Sequence, residues 1–207
     1  MYREGTLETT ETTETIEVLD HDFPHLAELK VTPYAIYDLK NNESFVNIGT
    51  SLDTSNFACD SIQLWWNTIG KKRYPQATSI LILADGGGSN GSRLHVFKKG
   101  LQDLSSLLGI ELRLAHYPPG TSKWNPIEHR VFPHITRSLS GVILSSVSIA
   151  KELIKKTTTT SGLKVFVRVS KKVYKKAKKV GDDFYEKANI QFDKILGRWN
   201  YTVNPVT

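Results

Sequence analysis

The sequence predicts an α/β protein: a mixed sheet flanked by helices. Three observations lead there. Short β-rich runs alternate with segments of helical periodicity. One apolar run, Ile80-Leu81-Ile82-Leu83, is continuous rather than alternating, the pattern of a strand buried on both faces. A hairpin-length turn and helical crossovers both join the strands, so antiparallel and parallel pairs must coexist.

The elements follow in order. Tyr34–Leu39 and Ser44–Ile48 flank the polar turn Lys40-Asn41-Asn42-Glu43 and form a hairpin. A helix spans roughly Thr54 to Ile69, with Phe57, Ile62, Trp65, Trp66 and Ile69 on one broad face. Asp53 or Thr54 caps it and Gly70 stops it. The apolar strand Ser79–Ala84 runs into Asp85-Gly86-Gly87-Gly88-Ser89-Asn90-Gly91. A second helix, near Ser92–Leu108, places Leu94, Phe97, Leu101, Leu104 and Leu108 at helical spacing, with Gly109 as its cap. Ile110–Tyr117 is a further strand. The loop Pro118–Trp124 then leads to a helix opened by Asn125-Pro126, a good N-cap followed by a residue suited to the first helical turn. Beyond Gly141 come a helix near Ser146–Lys155, a turn at Thr157–Thr160, a strand at Leu163–Val169 and a lysine-studded stretch.

Composition narrows the function classes. The chain has 207 residues, enough for one domain with a proper core. No apolar run of about 18 residues exists, so no membrane span is expected. The start lacks a secretory signal's apolar region, so a soluble cytoplasmic protein is the expectation. Cys59 is the single cysteine, which excludes an internal disulfide framework and a cysteine-rich zinc site. The net charge of +6 is unevenly spread: residues 1–30 carry −6, residues 31–150 carry +3 and residues 151–207 carry +9. A basic C-terminal third suits a polyanion such as DNA, or equally a solvated lysine face. Residues 1–20, rich in Thr and Glu, cannot bury enough apolar surface and read as disordered. Residues 21–160 read as the core and residues 161–207 as a basic extension.

Two carboxylates stand out. Asp85 lies where the apolar strand meets a glycine-rich turn, and ligands of open α/β sheets gather at the carboxyl ends of strands. A plain Asp-Gly turn explains it equally well. Glu128 lies in the first turn of the helix after the next strand, where it also fits a capping box with Asn125. Together they form a pair of hard oxygen donors suited to Mg²⁺ or Mn²⁺. His116, Lys123, His129 and Arg130 surround that pair with groups able to meet phosphate. Gly86, Gly88 and Gly91 formally satisfy the dinucleotide-binding pattern, which keeps a dinucleotide-binding enzyme open. Against it stand the Asp85 carboxylate beside any pyrophosphate, and Glu111 at the wrong end of its strand.

Longer motifs point further. Ala84–Gly91, His116–Asn125 and Ile127-Glu128-His129-Arg130 closely resemble the ISAzo-type family of bacterial insertion-sequence transposases. Weaker agreement extends over His21-Asp22-Phe23-Pro24, Phe45–Thr50, Trp65-Trp66, Thr157–Thr159 and Trp199-Asn200-Tyr201, so that the resemblance runs from about residue 21 to the C-terminus. It implies an RNase H-like core that uses three acids and two divalent metals, Mg²⁺ or Mn²⁺, to cut and join DNA at insertion-sequence ends. By motif, Asp85 resembles the second acid and Glu128 the third, both catalytic and metal-holding.

The family's first acid belongs to a strand upstream of the hairpin, and no such strand is evident here. Asp20, Asp38 and Asp53 are the possible substitutes. The resemblance thus implies the C-terminal part of a catalytic domain, truncated before its first strand and inactive alone, so whether it acts as an enzyme stays open. A non-catalytic DNA-binding fragment that modulates an intact transposase is the alternative. The expected DNA contacts are Lys123, Arg130, Lys171, Lys172, Lys175, Lys176, Lys178 and Lys179, with the last six on a cationic helical surface.

Overall fold

The computed structural model describes residues 31–118, 120–142, 144–176 and 179–206, together with the backbone of residues 4–7 and 16–19. Two short strands, β1 (Glu4–Leu7) and β2 (Ile16–Leu19), pair with each other. Asp20, the motif at residues 21–24 and Lys178 fall outside the described residues.

The mixed α/β class is observed, but the strands form two mixed sheets where one was expected. β3 (Thr32–Asp38) and β4 (Glu43–Gly49) form the hairpin, and β7 (Lys164–Val169) adds to β4 in parallel. In the other sheet β5 (Ser79–Ala84) pairs in parallel with β6 (Glu111–His116). β9 (Asn200–Val203) pairs antiparallel with β6, and β8 (Ile190–Phe192) antiparallel with β9. Residues 161–207 therefore supply strands to both sheets.

Helix α1 (Ser55–Trp65) begins at Thr54, whose hydroxyl accepts the Phe57 N–H at 3.2 Å. It does not stop at Gly70. A π-helical turn (Trp66–Gly70) carries it into α2 (Lys71–Arg73). Gly70 serves packing instead, because a Cβ there would lie 2.6 Å from the Trp66 ring. Helix α3 (His95–Leu108) ends as expected at Gly109, with φ of 65°. Three shorter helices follow: α4 (Pro126–Arg130), α5 (Phe132–Leu139) and α6 (Val147–Lys155).

One helical layer, α1 and α3, buries Ala58, Ile62, Phe97, Leu101 and Leu104 against Leu112, Leu114, Tyr201 and Val203. Tyr34 and Ile36 of β3 and Ile80 and Ile82 of β5 pack on this same cluster. The opposite face of β3, Ala35 and Tyr37, packs with residues of α4, α5 and α6. That second layer does not extend over β5. Leu81 is 60% and Leu83 38% exposed, so the strand read as buried on both faces is open on one. Among the described residues the cluster around α4, α5 and α6 packs on β3, β4 and β7 and includes no residue of β5.

The lysine-rich stretch also differs from expectation. Residues 170–176 carry no helix in the structure and cross α1 as a strap. Tyr174 anchors it, buried against Phe57 with ring centroids 5.1 Å apart, and donates to Asp60 at 2.8 Å. Lys172 pairs with the same carboxylate at 2.6 Å. An aromatic anchor and a shared acid fix an extended path that a helix could not follow.

The α1–α3 crossing depends on Gly100, where a Cβ would lie 2.7 Å from the buried Cys59 sulfur. Gly100→Ala is expected to destabilise the fold by about 1–3 kcal/mol through overpacking. Denaturant midpoints check this, and adding Cys59→Ala should restore part of the loss.

Candidate functional site

A cleft of about 570 Å³ opens between β3 and β5. Its floor is the α1 layer, with Ile62, Trp65 and Trp66, and its other wall comes from α4 and α5. Asp85 reaches it from the end of β5 and Glu128 from the first turn of α4. The two acids singled out in the sequence thus line one cleft. The Asn125 side chain caps α4, accepting the Ile127 N–H at 3.4 Å, while Glu128 contributes to the cleft wall.

Two residues that the sequence reading undervalued stand beside them. Asp53, noted above only as a substitute acid or helix cap, lines the same cleft and approaches the glycine turn at Gly88. Tyr34 crosses from β3 to the turn after β5, donating to the Asn90 side chain at 2.9 Å. Burial drives its phenol far above the ordinary value, with Cys59 and the charges of Asp85 and Asp53 adding to the shift. The signal for Asp53 was its place between a strand and a helix start. Nothing in the sequence singled out Tyr34. Asp38 also lines the cleft, beside Tyr74, which donates to it at 2.7 Å.

The surrounding cations and histidines divide. His116 is not available to a phosphate: it is buried, stacked on Tyr201, and hydrogen-bonded to that phenol at 3.0 Å. Its other ring nitrogen meets the Asp85 backbone carbonyl at 3.2 Å, so it positions the strand end. His129 is exposed and bonded to the Lys123 carbonyl. Lys123 and Arg130 are exposed, and Lys123 lies 5.3 Å from the ring of Trp124, itself 68% exposed. Lys171, Lys175, Lys176 and Lys179 are exposed on the C-terminal stretch, whereas Lys172 is held by Asp60.

As a metal centre the donor set is incomplete. The cleft offers hard carboxylate oxygens of the kind Mg²⁺ and Mn²⁺ prefer. Among the described residues, however, no three Asp, Glu, His or Cys side chains gather closely enough to hold an ion. The glycine run does not open directly into a helix: α3 starts at His95, beyond a 3₁₀ turn at Gly88–Asn90 and the Gly91–Leu94 link. No helix among the described residues is long and apolar enough to cross a membrane.

A mixed α/β domain with acids beyond the carboxyl end of a strand belongs to the class whose ligands gather at strand ends. The chain is a member of the family described as the Rhodopirellula transposase DDE domain, whose model matches residues 1–205. The match includes the Thr/Glu-rich segment ahead of residue 21, which the motifs alone did not reach. No curated protein and no solved structure matches.

Burial holds His116 below the ordinary imidazole value, and the Lys98 charge assists. The unfolded chain therefore binds the extra proton more readily than the folded one. Stability attributable to His116 is full above the unfolded value of about 6.5 and declines as pH falls through and below it. Urea midpoints at pH 8 and pH 5.5 should differ more in the native chain than in His116→Gln.

Proposed function

We propose that this domain handles DNA in transposition, with Asp85 and Glu128 facing the reacting phosphodiester. The observation that carries the reading is their meeting on one cleft in a member of a DDE transposase family. Lys123, Arg130 and the exposed C-terminal lysines supply the cationic approach that a phosphate backbone requires. Asp85 and Glu128 would be the ligands of a divalent ion. The chemistry such an ion supplies is polarisation of a phosphoryl oxygen and activation of an attacking hydroxyl.

Two carboxylates do not hold two ions at a working separation, and Asp53 does not close into a three-ligand set with them. We therefore assign the chain DNA binding and withhold strand cleavage by these residues alone. An RNase H-like arrangement of the catalytic strands belongs to this proposal, as does an intact transposase as a partner.

Two measurements test it. Binding to duplex DNA should weaken with salt, and each phosphate left without its lysine should reduce the log–log slope by about 0.9. Replacing Lys171, Lys175, Lys176 and Lys179 by Gln should lower the slope, whereas Lys172→Gln should change it less because Asp60 already engages that charge. Salt-independent binding refutes the reading. In a nicking assay with Mg²⁺ or Mn²⁺, the chain alone should leave oligonucleotides uncut. Metal-dependent nicking that vanishes in Asp85→Ala would show that another acid, Asp53 foremost, completes the centre.

A further inference from the structure

The turn between β8 and β9 presents apolar side chains to solvent at the end of the sheet that carries Asp85. Residues 193–199 join the two strands, and β9 runs antiparallel to β6. The turn therefore overhangs the carboxyl ends of β6 and of its parallel neighbour β5. His116 donates its backbone N–H to the Trp199 carbonyl at 2.7 Å, which carries the β6–β9 pairing up to the turn itself. The Trp199 ring then lies against the residue that follows Asp85, for a Cβ on Gly86 would stand 3.2 Å from it.

The turn is tightly bonded. Asp193 Oδ1 accepts the Ile195 and Leu196 N–H groups at 2.9 and 2.7 Å. The Leu196 carbonyl accepts the Trp199 and Asn200 N–H groups at 2.7 and 2.8 Å. A Cβ on Gly197 would stand 2.7 Å from the Asp193 carbonyl oxygen, so the close turn there needs glycine. Held in this frame, Ile195 is 91% and Leu196 54% exposed, and Ile195 is the most exposed large apolar residue among the described residues. Lys194 and Arg198 are exposed on either side of them, and the Arg198 guanidinium lies 5.0 Å from the Trp199 ring.

We propose that this turn is a wedge for duplex DNA: Ile195 and Leu196 enter between two base pairs while Lys194 and Arg198 hold the flanking phosphates. The two apolar tips have no donor or acceptor to offer a base edge or a phosphate. What they can do is fill the space between unstacked bases, as Leu and Ile side chains do in kinked duplexes. The turn's own acid, Asp193, is engaged with backbone N–H groups, which leaves the two cations to meet the DNA backbone. β9 is two strands away from β5, about 10 Å at ordinary sheet spacing. The opened step thus falls about three base pairs from the phosphate that faces Asp85. A wedge already held in shape loses little conformational freedom on binding. The assignment rests on the DNA reading of the cleft and adds to it a local opening of the duplex beside the acids.

The probe is a short duplex bearing 2-aminopurine at several positions, so that unstacking at any register is read as a gain in fluorescence. Anisotropy of a terminal dye on the same duplex measures binding separately. The full chain at saturation should raise the fluorescence by about twofold or more. Ile195→Ser combined with Leu196→Ser should remove most of that gain and leave the salt slope of binding intact. Both side chains are exposed, so the pair of changes opens no core cavity. Ile195→Val should keep the gain. Lys194→Gln combined with Arg198→Gln should instead lower the salt slope, by up to about 0.9 for each cation. Binding without a fluorescence gain, or a gain that survives the double serine variant, overturns the wedge and leaves the DNA reading standing. No binding at all overturns both. Sedimentation of the DNA-free chain tests the competing occupant: a dimer that the double serine variant dissociates would assign the turn to a second copy and overturn the wedge.

Discussion

Side-chain packing on α1 is the constraint on which the rest of the molecule depends. The two sheets share no backbone pairing among the described residues, so nothing in their hydrogen-bond ladders sets one against the other. Ile62 and Ala58 of α1, with Phe97 and Leu101 of α3, do so instead, because residues of β3 and β5 alike bury themselves there. Packing of this kind is dense and tolerates little change in volume. It sets β3 against β5 across the cleft that Asp53, Asp85 and Glu128 line. The bare Cα of Gly100 and the Cys59 thiol at the helix crossing are consequently as much a part of the site as the acids are.

Much of this was legible in the sequence, and what escaped did so for identifiable reasons. Local rules worked where local chemistry decides: the Thr54 cap, the αL glycine at Gly109, the Asn125-Pro126 helix start and the β3–β4 turn all appear. The strand at Ser79–Ala84 was rightly placed and wrongly imagined. Its continuous hydrophobicity records a demand for cover on both faces, and a sequence states the demand without saying whether it is met. Gly70 was misread because a glycine that admits an indole looks the same as one that ends a helix. The lysines of residues 171–179 were expected on a helix because their spacing allows one. For residues 171–176, Tyr174 and Asp60, 114 residues apart in sequence, decided otherwise.

The candidate site divides along similar lines. Asp85 and Glu128 were found because each follows a strand in a conspicuous motif. Their common cleft could be inferred only by supposing that β5 and β6 are neighbours, which they are. His116 was misjudged because a histidine at a strand end reads as chemistry. Only its partner Tyr201, 85 residues on, reveals it as a buried prop. Tyr34 was invisible for the converse reason: an alternating strand residue gives no hint that its hydroxyl reaches across to the turn after β5.

The pairing of β6 with β9 has a consequence for the order of events in synthesis. Leu112 and Leu114 leave the ribosome long before the residues registered with them, Val203 and Tyr201. Until those arrive, the middle of the four-stranded sheet is an unpaired apolar edge, and so is any product terminated between them. Contacts of such long sequence separation form slowly, because loop closure must precede any gain from them. A nascent chain of this protein thus spends a long stretch of its translation with one edge of β6 unpaired, the kind of transiently exposed apolar edge that makes an incomplete chain prone to aggregation.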